Sequence, residues 1–450
     1  MKYPIILKKR KLRHRCLLPT NQQQFDMALL IEKLRKLVEK GGRYREVDAM
    51  TIYKELNFIE RHHLENYFLV AHKLVAELKK DSNVIIGPGW GRMISSHVCY
   101  SLGITNISPV SVEVGPILIW GDKKKVPTID IEVDEESYYR VFQKAIELFG
   151  YENVARMPVN VGPNQDLSDH SWIGTNANGE KVYFHACALL ICLNGIEKNF
   201  EVDEMIDEHG SHILCTKKYI EDSDNQEFLR YNVLTSDVLT RIKRIQQLIE
   251  KKGNEYPVMY DRPIEEEDYT LFCHGDLNDI PDFDNKSIQK VTKMLMPTKE
   301  CAAFEELLNI QGLFTLGEGS SLMTEEMVAE YKQKHLLPPF HNLFPYGFLF
   351  AEDVAWFLHY WTGLTWNLTV ELLQYVYEKN EKKAEPLWTH SLFHARDNGF
   401  KRDDSYRILC SLFNRPLIRS KAHYAGRLYL SVYLAGLKHR FPKEFEKVKE

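Results

Sequence analysis

Residues 128–134, Thr-Ile-Asp-Ile-Glu-Val-Asp, alternate polar and apolar side chains without a break. That is the period of a half-buried β-strand, with Ile129, Ile131 and Val133 on one face and Thr128, Asp130, Glu132 and Asp134 on the other. One face belongs to a core and the other is acidic. Upstream, Leu29, Leu30, Ile31, Leu34 and Leu37, then Ile52, Leu56, Ile59 and Leu64, recur at helical spacing, so two or three helices precede the first strand. That strand is expected at Asn83 to Ile86, ending at Gly87-Pro88-Gly89, with a helix from about Gly91 to Leu102. A helix from about Glu136 to Leu148, a Gly/Asn/Asp-rich loop or hairpin at 161–180, and strand-like runs at 182–192 and 228–234 follow the acidic strand. A long helix starts after Thr235, and from about Ile288 the pattern is mostly helical and rich in aromatics such as Trp356, Tyr360, Trp361 and Tyr433.

Strands among helices, followed by helices, define an α+β chain. Its 450 residues suffice for two or three domains. The divisions expected are a basic helical segment at 1–80, a sheet-bearing part at 81–260 and a helical part at 261–450. No run of eighteen apolar residues exists, and the start meets a cluster of charges after Ile6, which points to a cytoplasmic protein with no membrane partner. The 8 cysteines include no C-x-x-C pair and read as reduced core thiols; Cys187, Cys192, Cys215 and His212 are the candidate zinc set. The chain carries a net charge of −5, yet residues 1–80 hold 18 Lys and Arg against 9 Asp and Glu. The densest run, Lys8 to Arg15, suits either a phosphate-tracking arm or a solvated basic tail.

Asp130 and Glu132, two apart on a strand, present both carboxylates on one face, where they can share hard divalent cations such as magnesium or manganese. A plain solvent-facing acidic edge would look the same. Gly87, Gly89 and Gly91 stand between a strand and a helix, where backbone N–H groups can approach a phosphate, although an ordinary turn uses the same residues. The string His274-Gly275-Asp276-Leu277-Asn278, with Asp282 and Asp284, looks like the catalytic loop of small-molecule phosphotransferases, but the lysine-bearing strand such an enzyme needs is not found upstream.

Taken in order from Tyr53 to Val448, these pieces resemble the catalytic core of the bacterial DNA polymerase III alpha subunit, the C family of polymerases. Gly87-Pro88-Gly89-Trp90-Gly91-Arg92 stands where the family has Gly-Pro-Gly-Arg-Gly-Ser, and 127–133 stands where it has Pro-Asp-x-Asp-x-Asp-Phe. The resemblance continues through Tyr100 to Thr105, Val141 to Ala155 and His185-Ala186. Arg230 to Leu234 falls on the strand that carries the family's third catalytic aspartate. Asp279 to Pro281, Gly312 to Phe314, Ser420-Lys421-Ala422-His423 and Phe441 to Phe445 follow in family order. The resemblance implies a nucleotidyltransferase-type palm, a mixed sheet with helices, followed by a mostly helical fingers-like domain. It implies DNA-directed nucleotidyl transfer by a two-metal mechanism, with DNA and deoxynucleoside triphosphates as ligands and a replication or repair protein as a further partner. Asp130, Glu132 and the residue at 232 would be catalytic, the first two holding magnesium or manganese. Gly87, Gly89, Gly91, Arg92, Arg230, Lys421 and His423 would contact the nucleotide.

The departures matter as much. The third carboxylate is replaced by Asn232, which brings no charge. Glu132 in place of Asp adds a methylene, and displacements of about 1 Å cost around 100-fold in rate. Asp237, five positions after Asn232 and in an expected helix, is not expected to substitute. Trp90 and Arg92 replace the loop arginine and serine, and the family's paired arginines fall on Leu373 and Gln374. Too few residues separate Glu132 from His185 for the family's thumb, and the family's flanking domains are not matched. Two readings stand: an active, specialised nucleotidyltransferase, and a non-catalytic polymerase-derived module that binds DNA or a partner.

Overall fold

The alternating stretch forms β1 (Ile129–Asp134), and β1 lies at one edge of a mixed sheet. The chain is described by a computed structural model at residues 21–41, 47–110, 128–158, 171–176, 181–185, 187–206, 210–216, 228–253, 263–296, 298, 304–316, 349–397, 410, 412–413 and 419–448, with backbone alone at 21–28, 158, 171–176, 181–187, 315–316 and 390–397. The basic run Lys8 to Arg15 falls outside these residues.

The other strands are β2 (Val154–Pro158), β3 (Ser171–Asn176), β4 (Lys181–His185), β5 (Cys187–Ile191), β6 (Val202–Ile206), β7 (His212–Thr216) and β8 (Leu229–Ser236). Among the described residues they form one sheet in the order β1-β8-β5-β2-β7-β6-β3-β4. The β1–β8 and β2–β7 pairs are parallel and the other pairs antiparallel. The α+β class is therefore correct. The run 182–192 is split: β4 pairs with β3 as a hairpin at the far edge, while β5 lies between β8 and β2.

Three helices, α1 (Asn21–Lys40), α2 (Ala49–Arg61) and α3 (Glu65–Leu78), precede the sheet. They bury Leu34, Ile59, Phe68 and Leu74 against Ile129, Ile131, Val133, Tyr231 and Val233, the apolar face of β1 and β8. Each such side chain contributes roughly 1.5–3 kcal/mol on burial. Polar contacts set the alignment: the Ile129 N–H donates to Tyr67 Oη (2.7 Å), and Tyr231 Oη donates to the Tyr67 carbonyl (2.7 Å).

The expected strand at Asn83 to Ile86 is corrected by the structure: only Ile86 bridges, to Val133. Asp134 is the reason. Its Oδ2 accepts the Ile85 N–H (3.1 Å) while its own N–H donates to the Ile85 carbonyl (3.2 Å), so a side chain takes one of the places a ladder would fill. The expected helix over 91–102 is also broken. A 3-10 turn at Gly91–Ser95 stops at Ser96, whose hydroxyl caps α4 (His97–Ser101) by accepting the Cys99 N–H (3.0 Å). The helix α5 (Tyr138–Phe149) stands near its expected place after a 3-10 turn at Glu135–Ser137.

A second core joins α6 (Asp237–Glu250), α7 (Thr270–His274), α8 (Lys286–Leu295) and α9 (Phe304–Leu316) to the C-terminal helices. A third cluster belongs to α10 (Ala351–Thr362), α11 (Trp366–Tyr377) and α12 (Glu381–Asp397). The long helix α13 (Lys421–Arg440) and the short α14 (Pro442–Lys447) belong to the second core. The first turns of α10 and α13 are locked together, because Glu352 accepts both the Lys421 N–H (3.0 Å) and the Ser420 hydroxyl. Among the described residues no helix is long and apolar enough to cross a membrane.

Candidate functional site

Where β1 and β8 run parallel, Asp130 lies directly opposite Asn232 and Glu132 opposite Leu234. The faces that do not pack on α1–α3 therefore present Asp130, Glu132 and Asn232 together. The Asn232 side-chain amide donates to Asp130 Oδ1 at 2.6 Å. Burial pushes the Asp130 carboxyl up to about 6, against that hydrogen bond and the Arg230 charge.

Glu132 is 6% exposed, and its Oε2 is buried without a hydrogen-bond partner. Burial pushes its carboxyl up to about 7, opposed by the Ser236 hydroxyl and the Arg427 charge and reinforced by Asp237 and Asp130. An uncompensated carboxylate oxygen in the interior is costly, so such an atom is a natural ligand for a cation.

The glycine turn covers this pair. The Gly87 N–H donates to the Glu132 carbonyl (2.7 Å), and a Cβ on Gly87 would stand 2.4 Å from Glu132 Oε2. Only glycine leaves that space open. A Cβ on Gly91 would come within 3.4 Å of Asp130 Oδ2. Gly89 has φ +116°, and its carbonyl would lie 2.3 Å from a Cβ at Gly426 of α13, so α13 rests directly on the turn.

The packing of α13 on the turn brings residues some three hundred positions apart side by side. Trp90 meets His423 edge-to-face at 5.6 Å, and His423 Nε2 contacts an Arg419 guanidinium nitrogen. Burial and the Arg419 and Arg427 charges lower the His423 pKa, which favours the neutral ring. Lys421 is buried, its Nζ 3.6 Å from Glu305 Oε1 and 5.7 Å from the centre of the Phe350 ring. Arg92 is exposed, and its charge reaches Tyr377 of α11. Leu373 is buried in the third cluster and Gln374 donates to Glu378 (2.9 Å), so neither position offers a cation.

Arg427 was not singled out from the sequence, and Asp282 was noted only with the phosphotransferase-like string. Arg427 pairs with Asp282 at 2.6 Å, and its charge acts on Glu132 and His423. The spacing from His423, four residues on a helix, was the signal that could have marked it. Asp282, in the phosphotransferase-like string, has φ +64° and feels Asp237 and Asp284 as well as Arg427.

A divalent cation fits Asp130 Oδ2 and the orphaned Glu132 Oε2 in donor chemistry. Asn232 spends its amide on Asp130, and among the described residues no three His, Cys, Asp or Glu side chains are grouped to hold a metal. The candidate zinc set fares no better: Cys192 and Cys215 are buried cysteines in no disulfide, His212 is exposed beside Glu204 (3.0 Å), and the Cys187 side chain is outside the described residues.

A mixed sheet whose edge pair carries two acids beneath a glycine turn defines an α+β protein with a candidate phosphate- and cation-binding cleft. Residues 27–162 match the family model for the bacterial DNA polymerase III alpha NTPase domain. The chain is similar to the DNA polymerase III subunit alpha of Campylobacter jejuni (19% identical, over 96% of this chain and 42% of that protein). Its counterpart in Staphylococcus aureus is 20% identical over 96% of this chain and 46% of its own. An error-prone DNA polymerase of Corynebacterium glutamicum is 36% identical over 120 residues, which is 26% of this chain and 11% of that polymerase. The chain is thus similar, at low identity, to DNA polymerase III alpha subunits, and it spans less than half the length of the two it matches over nearly its whole length.

Proposed function

We propose that this chain is a DNA polymerase III alpha-like nucleotidyltransferase that binds primed DNA and a deoxynucleoside triphosphate at the Asp130–Glu132 cleft. The observation that carries the reading is the convergence of β1, the glycine turn and the start of α13, with Gly89 against Gly426 and Trp90 against His423. A solvent-facing acidic edge would not be roofed in this way. Gly87 and Gly89 let the turn close directly over Glu132 and Thr105, Gly91 leaves the approach to Asp130 open, and Arg92, Arg230, Lys421 and His423 would supply positive or neutral donors to a phosphate there. Magnesium or manganese on Asp130 and Glu132 would supply Lewis-acid activation of the phosphoryl group. The palm and fingers correspond in this reading to 81–260 and 261–450.

A second reading has its own support. The Asn232–Asp130 hydrogen bond neutralises part of the acidic site without a metal, which suits a non-catalytic module that keeps the cleft for DNA or a protein partner. Primer extension on a primed DNA template, with magnesium and then manganese beside an Asp130→Ala control, separates the two. Extension that disappears in the control supports the nucleotidyltransferase. Absent extension from a folded protein that still binds DNA overturns it in favour of the module.

A further inference from the structure

We propose that Trp90 is a specificity residue of the cleft, a flat surface on which the base of an incoming nucleotide stacks. The inference rests on the reading of the cleft as a nucleotide site and names the part of the nucleotide that this turn recognises. Trp90 stands in extended backbone (φ −135°, ψ 147°) between Gly89 and Gly91, whose φ values of +116° and +64° set the course of the turn. Gly91 approaches Asp130, where a Cβ would come within 3.4 Å of Oδ2, and Gly89 lies against Gly426 of α13. The turn thus carries the indole from the acidic strand to the start of α13, where it meets His423.

Trp90 is half-buried, yet among the described residues it belongs to none of the four apolar clusters, so packing in a core does not account for an indole at this position. Its ring contact is with His423, at 5.6 Å and an interplanar angle of 69°. An edge-to-face contact of this kind occupies at most one face of the indole. Nucleobases stack on such faces whatever their identity, and neighbouring guanidinium groups strengthen the arrangement. Arg419, in contact with His423, and Arg92, two residues along the turn, are both exposed cations. An indole brings no charge to a phosphate, so the base rather than the triphosphate is what Trp90 distinguishes.

Calorimetric titration of the full chain with dATP and with inorganic tripolyphosphate, each with magnesium, tests the inference. Trp90→Ala should weaken dATP about fivefold or more, the scale of one stacked base, and leave tripolyphosphate unchanged. Trp90→Phe, which keeps a flat ring, should hold dATP within about threefold while the quenching of tryptophan emission by dATP is lost. Unchanged dATP affinity in Trp90→Ala, an equal loss of both ligands, or no binding of dATP by the unsubstituted chain would overturn it. The nucleotidyltransferase reading fails separately. Loss of dATP binding in Trp90→Ala without primer extension by the unsubstituted chain leaves this inference standing, whereas extension with dATP affinity unchanged in Trp90→Ala removes it and keeps the nucleotidyltransferase.

Discussion

Asn232 donates its side-chain amide to Asp130 across the parallel β1–β8 pair at 2.6 Å, in the position where a third carboxylate is expected from the family pattern. Asn232→Asp replaces that donor with a second acid facing a half-buried one. Like charges held this close disfavour ionisation, so the metal-free protein should lose about 1–2 kcal/mol of stability. Thermal melts should show a lower midpoint in a chelator, and millimolar manganese should reverse the loss. An unchanged midpoint would mean that the hydrogen bond carries no weight.

Gly87 is the residue that keeps the space beside Glu132 open, since an added Cβ would lie 2.4 Å from Oε2 and 3.0 Å from the Glu132 Cβ. Gly87→Ala should displace the carboxylate at a cost of about 1–3 kcal/mol, which corresponds to about fivefold or more in cation affinity. Manganese titration of the folded variant checks this; equal affinity would place the ion elsewhere.

The end of β1 depends on a buried ion pair. Asp134 is fully buried, accepts from Lys243 of α6 at 2.8 Å, and also holds the Ile85 N–H. Lys243→Met removes the ammonium paired with that buried carboxylate and should cost about 3–5 kcal/mol. The urea midpoint should fall accordingly, and a loss below about 1 kcal/mol would mean that water reaches Asp134.

Glu55 supplies a pH dependence. Its carboxylate accepts from Ser96 Oγ (2.6 Å), His97 N (2.9 Å) and Val98 N (3.2 Å), yet burial pushes its pKa from about 4.5 up to about 7. The folded state therefore holds this proton more tightly than the unfolded state. The linked stability is complete below pH 4.5 and is lost as pH rises towards 7. Glu55→Gln cannot ionise, so its stability relative to the unsubstituted protein should improve between pH 4.5 and pH 8. Urea unfolding at the two pH values reads the difference, and parallel curves would contradict it.

Much of this architecture was legible in the residue pattern. The alternation at 129–134, the helices over 22–80 and the helix after Thr235 are local periodicities, and each element stands close to where its spacing puts it. The strand expected at Asn83 to Ile86 was not formed, because a buried aspartate fifty residues later satisfies that backbone with its side chain. Nor did the apolar run 182–192 reveal that its two halves belong to distant positions in the sheet. Periodicity reports which face of a segment is apolar, not which neighbour it will pair with.

The cleft divides along the same line. By itself the sequence determined that Asp130 and Glu132 share a strand face, that glycines line the preceding turn, and that position 232 lacks a charge. Tertiary structure alone decided that Asn232 faces Asp130, that Gly426 lets α13 reach Gly89, and that Arg427 of α13 pairs with Asp282. The first set follows from bond geometry and periods of two or a few residues. The second follows from strand register and helix docking, which burial over both cores selects and which no short stretch of sequence contains.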